Sequence, residues 1–194
     1  MGTNMDTSLL DRAILFAVQA HKGQERRGHG FPYVVHPLEA VSIVASISSD
    51  QELLAAAALH DVVEDCDVSH EDIEREFGPR VAKLVFDESE APMEGSAEET
   101  WKARKQAAID RLAAASYDSK VVAMGDKLSN MRAIARDYFD KGDEFWKTFH
   151  NSNPAEHAWH YRGLAESLSA LSDTYAYKEF VTLIDLTFDA ACQN

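Results

Sequence analysis

The spacing of apolar residues along this chain is helical almost from end to end. Leu9, Leu10, Ala13, Ile14, Ala17 and Val18 recur at steps of one, three and four, which gathers them on one face of a helix. Ser8 stands where an N-cap would, with Asp11 near the positive end of the helix dipole. The run HKGQERRGHGFPY ends that pattern. Gly23, Gly28, Gly30 and Pro32 interrupt it, and Lys22, Arg26 and Arg27 make it basic, so it reads as an exposed loop. A second helix is expected from about Pro37, because proline suits a first turn. A third, rich in alanine and leucine, should run from about Asp50 to Glu64. Ser69 with Asp72 three residues on is a capping signal for a short helix that stops at Phe77-Gly78, and Pro79 opens another. The stretch ESEAPMEGSAEE, 88–99, is acidic and aperiodic and predicts a loop. Helical spacing returns from Trp101 to Ala115 and from Lys120 to about Asp137. Two last helices should span about 154–171 and 175–191, the first with Asn153 as cap and Pro154 in its first turn. Val34-Val35 and Val121-Val122 are too short to count as strands. The pattern predicts an all-α protein, one domain over 1–194, with roughly eight to ten helices.

Composition limits what such a bundle can do. The chain has 194 residues, 45% of them hydrophobic and 27% charged. That is enough to bury a core and excludes disorder as the default state. No apolar run approaches the ~20 residues a bilayer requires. Nineteen basic against 33 acidic residues leave a net charge of −14. A nucleic-acid backbone or an anionic membrane would be repelled, so neither is an expected partner. A small anion remains open wherever a few Lys and Arg converge. Two cysteines, Cys66 and Cys192, are too few for a disulfide framework. The first residues lack the basic-then-apolar plan of a signal peptide, so a reducing cytoplasm is the expected location.

The chemistry concentrates in ALHDVVED. His60, Asp61, Glu64 and Asp65 are four ionisable groups within six residues, at the end of the apolar run ELLAAAAL. On a continuous helix His60 would lie over Glu64 and Asp61 over Asp65. Burying an imidazole and a carboxylate unpaired is costly, and a metal ion satisfies both at once. A frayed helix end with ordinary surface acids is the plainer reading of the dipeptide alone. His36 stands where the basic loop enters a helix, in the place of a capping or packing residue. Asp126 sits on a helix whose apolar positions 121, 122, 124, 128, 131 and 134 face a core. An Asp there wants a cation, a salt bridge or a hydrogen-bond cluster, and Asn130 lies one turn along. His150, His157 and His160 read as surface or packing residues. Trp159, Leu164 and Leu168 read as a core stripe, with Tyr161 and Arg162 the alternative pocket-lining pair.

Taken together, His36, His60-Asp61 and Asp126 resemble the H…HD…D pattern of the HD superfamily of metal-dependent phosphohydrolases. Four stretches narrow the likeness to the hydrolase domain of RelA/SpoT-type alarmone enzymes and their small stand-alone relatives. These are AHKGQERRGHGFPYVVHP, AALHDVVEDCDVSHEDIEREFGPRVAKLV, WKARKQAAI and GDKLSNMRAI, in that order over about 20–135. The resemblance implies that His36, His60, Asp61 and Asp126 hold one divalent metal, usually manganese. It implies that Glu64 and Asp65 position or activate water. It sets Arg26 and Arg27 against the base and phosphates, Lys105 (or Arg104) against the diphosphate, and Asn130 near the ribose and base. The implied reaction is hydrolysis of guanosine tetra- and pentaphosphate at the 3′ position, releasing pyrophosphate. No synthetase segment follows, so breakdown alone is expected.

The bottom-up chemistry is compatible with this. Two imidazoles and two carboxylates suit manganese, iron, cobalt or zinc better than calcium. Lys102, Arg104 and Lys105, with the arginines of the loop, are the basic clusters an acidic chain needs for a polyanion. Two departures keep alternatives open. The loop RRGHG holds about one residue more than the family spacing, and the 88–99 loop is unusually acidic. An HD hydrolase of another nucleotide, such as an adenosine alarmone, NADPH or a nucleoside monophosphate, therefore stays in view. So does a non-catalytic nucleotide-binding relative. An apolar C-terminal helix face leaves room for a homodimer.

Overall fold

Helices follow one another along the chain in a computed structural model that describes residues 6–26, 30–89, 95–96 and 100–191. They are α1 (Ser8–Ala20), α2 (Val35–Ala45), α3 (Gln51–Leu59), α4 (Val62–Asp65), α5 (His70–Phe77), α6 (Pro79–Glu88), α7 (Trp101–Ala114), α8 (Tyr117–Lys141), α9 (Pro154–Ser167) and α10 (Tyr175–Ala191). Among the described residues the β structure amounts to one antiparallel bridge, Glu25 to Pro32. The all-α expectation holds. The chain divides into two compact units, Met1–Ser89 with Val121–Asp126, and Glu90–Lys120 with Lys127–Asn194.

The first unit is built around α3. Its residues Leu53 to Leu59 are all buried, and α1, α2 and α6 pack on it. A helix apolar on every side belongs in an interior, and four consecutive alanines let neighbours approach closely. Asp50 caps it, accepting the Glu52 amide at 2.9 Å. Arg80 at the start of α6 pairs with both Asp50 and Glu52. The Ser69–Asp72 capping box forms at α5, which stops at Gly78 with φ +89°.

Local differences from the expected boundaries have physical causes. Ser8 is the first residue of α1 rather than its cap, and its amide donates to the Asp6 carboxylate at 3.0 Å. The second helix starts at Val35, two residues before Pro37. Proline is harmless there because first-turn amides have no intrahelical partner. The third helix does not run through to Glu64. It stops at Leu59, His60 and Asp61 form a turn, and the separate α4 follows.

The second unit is aromatic at its centre. A 3-10 helix at Gly142–Thr148, which sequence periodicity missed, brings in Phe145 and Trp146, both buried. Trp146 stacks on Phe188, which stacks on Tyr161. His157 packs against Trp101, Trp146 and Phe149, and its Nε2 donates to the Asn151 carbonyl at 2.7 Å. Both His157 and His160 are buried, in keeping with the packing reading. Leu164 and Leu168 are buried, Tyr161 lies in the aromatic stack, and Arg162 pairs with Asp189.

Burial holds the His157 imidazole below its ordinary pKa, and Lys105 nearby adds to this. Above about pH 6.5 the ring is neutral whether the chain is folded or unfolded, and its contribution is complete. As pH falls below that, the unfolded chain takes up a proton the folded one refuses, and stability is lost toward the lower folded pKa. Thermal melts between pH 7.5 and 5 should therefore show wild type losing more Tm than His157→Gln. An equal loss in both would assign the pH response to other groups.

Candidate metal centre

α3 delivers His60 to a buried point at its C-terminal end. The His60 Nδ1 lies 2.8 Å from the Ala57 carbonyl. A carbonyl only accepts, so Nδ1 carries the proton, and in the neutral ring Nε2 carries the lone pair. That Nε2 is 3.2 Å from the Nε2 of His36, in the first turn of α2. Asp61 Oδ2 lies 3.1 Å from the His60 nitrogen and 3.4 Å from that of His36. Asp126 Oδ1, from α8, lies 3.1 Å from His36 and 3.5 Å from His60. His36, His60 and Asp126 are buried, and each offers one ligand atom, all within 4.8 Å of one another.

The donor set fits a divalent cation. Two imidazole lone pairs cannot face each other at contact without positive charge between them or a proton on one. Ligand atoms about 2.0–2.2 Å from one ion lie roughly 3–3.5 Å from each other, the spacing found here. Two carboxylates match the charge of a divalent ion, and burying them otherwise costs several kcal/mol each. Without a metal, a proton takes this role. Burial pushes the His60 imidazole down, but Asp61 and Asp126 outweigh it and hold it well above its ordinary pKa. Burial likewise opposes the Asp61 carboxylate, yet His60 and His36 hold it well below the usual range.

The predicted site residues divide by position. His36, His60, Asp61 and Asp126 come together in the first unit. Glu64 and Asp65 lie exposed on α4, one turn past the His-Asp pair. They sit on the separate α4 and not on one helix continuous with His60 as expected, because α3 stops at Leu59, yet the Asp65 amide still donates to the Asp61 carbonyl at 2.9 Å. Arg26 belongs to the same unit, its guanidinium 5.4 Å from the centre of the Tyr33 ring. Lys105 and Asn130 lie in the second unit. Arg27 falls outside the described residues, as do His29, Cys192 and most of the acidic 88–99 segment.

Two residues beside the centre escaped sequence reasoning. The Tyr33 hydroxyl donates to Asp61 Oδ2 at 2.7 Å. Gln24 ties the loop to α4: its Nε2 donates to the Asp65 carbonyl at 2.8 Å, and its Oε1 accepts from His21 Nδ1 at 2.8 Å. Because the Asp65 carbonyl only accepts, the amide orientation is settled, and His21 Nδ1 must carry a proton. Cys66, 3.4 Å from that same nitrogen, therefore faces a donor and not a base. Burial also raises its thiol pKa, so Cys66 is no activated nucleophile. The only sequence hint for either residue was its place in the Gly-rich loop, since both act through contacts more than 25 residues away.

A family profile described as HD domain matches residues 13–147. A guanosine-3′,5′-bis(diphosphate) 3′-pyrophosphohydrolase of Vibrio cholerae is 45% identical over 83 residues, 43% of this chain and 12% of that one. The like-named protein of Aquifex aeolicus is 45% identical over 76 residues, 39% and 11% of the two chains. A GTP pyrophosphokinase rsh of Brucella ovis is 38% identical over 82 residues, 42% and 11%. The chain thus spans only a small part of the length of the curated relatives it matches. Among solved structures, a metazoan ortholog of SpoT, described as hydrolysing ppGpp, superposes with a TM-score of 0.74 at 23% identity, covering 94% of this chain and 97% of that one. A Listeria monocytogenes protein gives 0.69 at 25% identity, covering 82% and 99%. Among the described residues no helix is long and apolar enough to cross a membrane.

Proposed function

The chain belongs to the HD domain family, and from that premise we propose that it is a divalent-metal phosphohydrolase that removes the 3′-diphosphate of guanosine 3′,5′-bis(diphosphate). One water is consumed, the bond from the ribose 3′ oxygen to phosphorus breaks, and GDP and pyrophosphate leave. The observation that carries the reading is the meeting of buried His36, His60 and Asp126, whose ligand atoms lie within 4.8 Å of one another, with Asp61 Oδ2 3.1 and 3.4 Å from the nitrogens of His60 and His36. The names of the 45%-identical relatives supply the substrate.

His36, His60, Asp61 and Asp126 would hold the ion. When bound, it supplies Lewis-acid charge to a phosphate oxygen and acidifies water. Mixed nitrogen and oxygen donors suit manganese, iron, cobalt or zinc better than calcium, and the choice of manganese among them rests on the family resemblance. Glu64 and Asp65, exposed one turn away, accept the proton that water loses and return one to the leaving 3′ oxygen. Arg26 draws the polyanion to a strongly acidic chain. The substrate-facing reading of Arg27, Lys105 and Asn130 rests on the family resemblance. The family match runs across residues of both units, which supports one catalytic domain. A cytoplasmic location follows from the nucleotide substrate.

Chelator-treated protein reloaded with manganese should release pyrophosphate from the guanosine alarmone in preference to adenosine alarmones, NADPH and ordinary nucleotides. Orthophosphate alone, from a 2′- or 3′-phosphate, would move the assignment to another nucleotide. Glu64→Gln and Asp65→Asn should each cut turnover by about 10²-fold or more, with manganese affinity retained. Turnover that survives both would remove these acids from the mechanism.

A further inference from the structure

We propose that Tyr33 is the positioning residue of the metal centre, setting cation affinity through Asp61 and coupling that ligand to the arginine-bearing loop. The inference rests on the metal-hydrolase reading above. Its basis is the number of roles one side chain holds. The hydroxyl donates to Asp61 Oδ2 at 2.7 Å, the same oxygen that approaches both histidine nitrogens. The ring edge meets the His36 imidazole, with centres 6.0 Å apart. One residue therefore touches two of the four candidate ligands.

Tyr33 is itself fixed from behind. Its amide donates to the Gln24 carbonyl at 3.0 Å, beside the Glu25–Pro32 bridge. Its ring lies against that of buried His21, with centres 4.8 Å apart and planes 33° apart. Arg26 lies over the ring at 5.4 Å, a cation–π distance. A carboxylate oxygen that already accepts a hydrogen bond has its direction set before any ion arrives. Outer partners of this kind change metal affinity by about 10–100-fold when removed. The Arg26 contact extends the same device to the nucleotide: the ring that aims Asp61 also holds the arginine expected at the phosphates.

The test uses the full chain, stripped with chelator and titrated with Mn²⁺, free ion being read by electron paramagnetic resonance. Tyr33→Phe keeps the ring against His21 and removes only the hydroxyl, and the thermal melt of the metal-free variant should match wild type. Its Mn²⁺ dissociation constant should rise by about tenfold or more. At saturating Mn²⁺ its kcat should fall while KM for the nucleotide holds. Tyr33→Leu, which removes the ring beneath Arg26, should raise KM as well. On an Asp61→Asn background Tyr33→Phe should add nothing, because the partner oxygen it serves has changed. Wild-type Mn²⁺ affinity in Tyr33→Phe, or the same loss on both backgrounds, overturns the inference while leaving the metal centre intact. Wild-type Mn²⁺ affinity in His60→Ala overturns the metal centre, and this inference with it.

Discussion

Replacing His60 with alanine should abolish both divalent-cation binding and nucleotide hydrolysis. The imidazole is buried at the end of α3 and lies within 3.5 Å of His36, Asp61 and Asp126. Like His36, it is a near neighbour of each of the other three. Loss of an outer partner costs about 10–100-fold in metal affinity, so loss of a ligand should exceed the upper end of that range. Two carboxylates then share a pocket with one fewer positive partner, and protonation of one becomes the alternative to holding an ion. Calorimetric titration with Mn²⁺ and a pyrophosphate-release assay check the two halves separately. Cation binding within a few-fold of wild type would dissolve the centre, whatever happened to activity.

Gly125→Ala should lower the melting temperature by several degrees and weaken cation binding, though the residue carries no functional group. A Cβ built there meets the Ala40 carbonyl oxygen and the Val44 Cγ2, each at 2.8 Å. Val44 is fully buried and stiff at χ1, and the carbonyl belongs to the backbone of α2, so neither can move aside. Alanine gains about 1 kcal/mol of helix propensity over glycine, whereas forcing a methyl into a packed contact costs about 1–3 kcal/mol. With a backbone atom as the obstacle, the cost wins. The displacement falls one residue before Asp126, whose oxygen lies 3.1 Å from His36 on the same α2. Differential scanning calorimetry of the metal-free protein and Mn²⁺ titration would check both effects. A more stable variant with unchanged affinity would show that α2 yields freely.

The contrast between these two residues explains what was legible in the chain. Helices, caps at Ser69 and Asn153, and the stop at Gly78 are local, and local chemistry is written in neighbouring residues. His60-Asp61, His36 and Asp126 stood out because ionisable groups on apolar segments demand partners, although only the family resemblance grouped them before the structure brought them together. Gly125 and Tyr33 were silent because their meaning lies in what approaches them from elsewhere in the chain. The early end of α3 was hidden for the opposite reason. Helical spacing continues through Glu64, and no proline or glycine announces the turn. The 3-10 helix at Gly142–Thr148 escaped because three residues per turn leaves no 3.6-residue rhythm.

The early stop of α3 has a consequence for how this protein can evolve or be engineered. In an uninterrupted helix the Ala57 carbonyl would belong to the Asp61 amide, four residues on. Here it accepts the imidazole Nδ1 proton of His60 instead. A substitution that lengthened the helix would add regular backbone pairing and release the ring to turn over. Selection for a sturdier fold and selection for a competent centre therefore pull against each other at this single carbonyl oxygen.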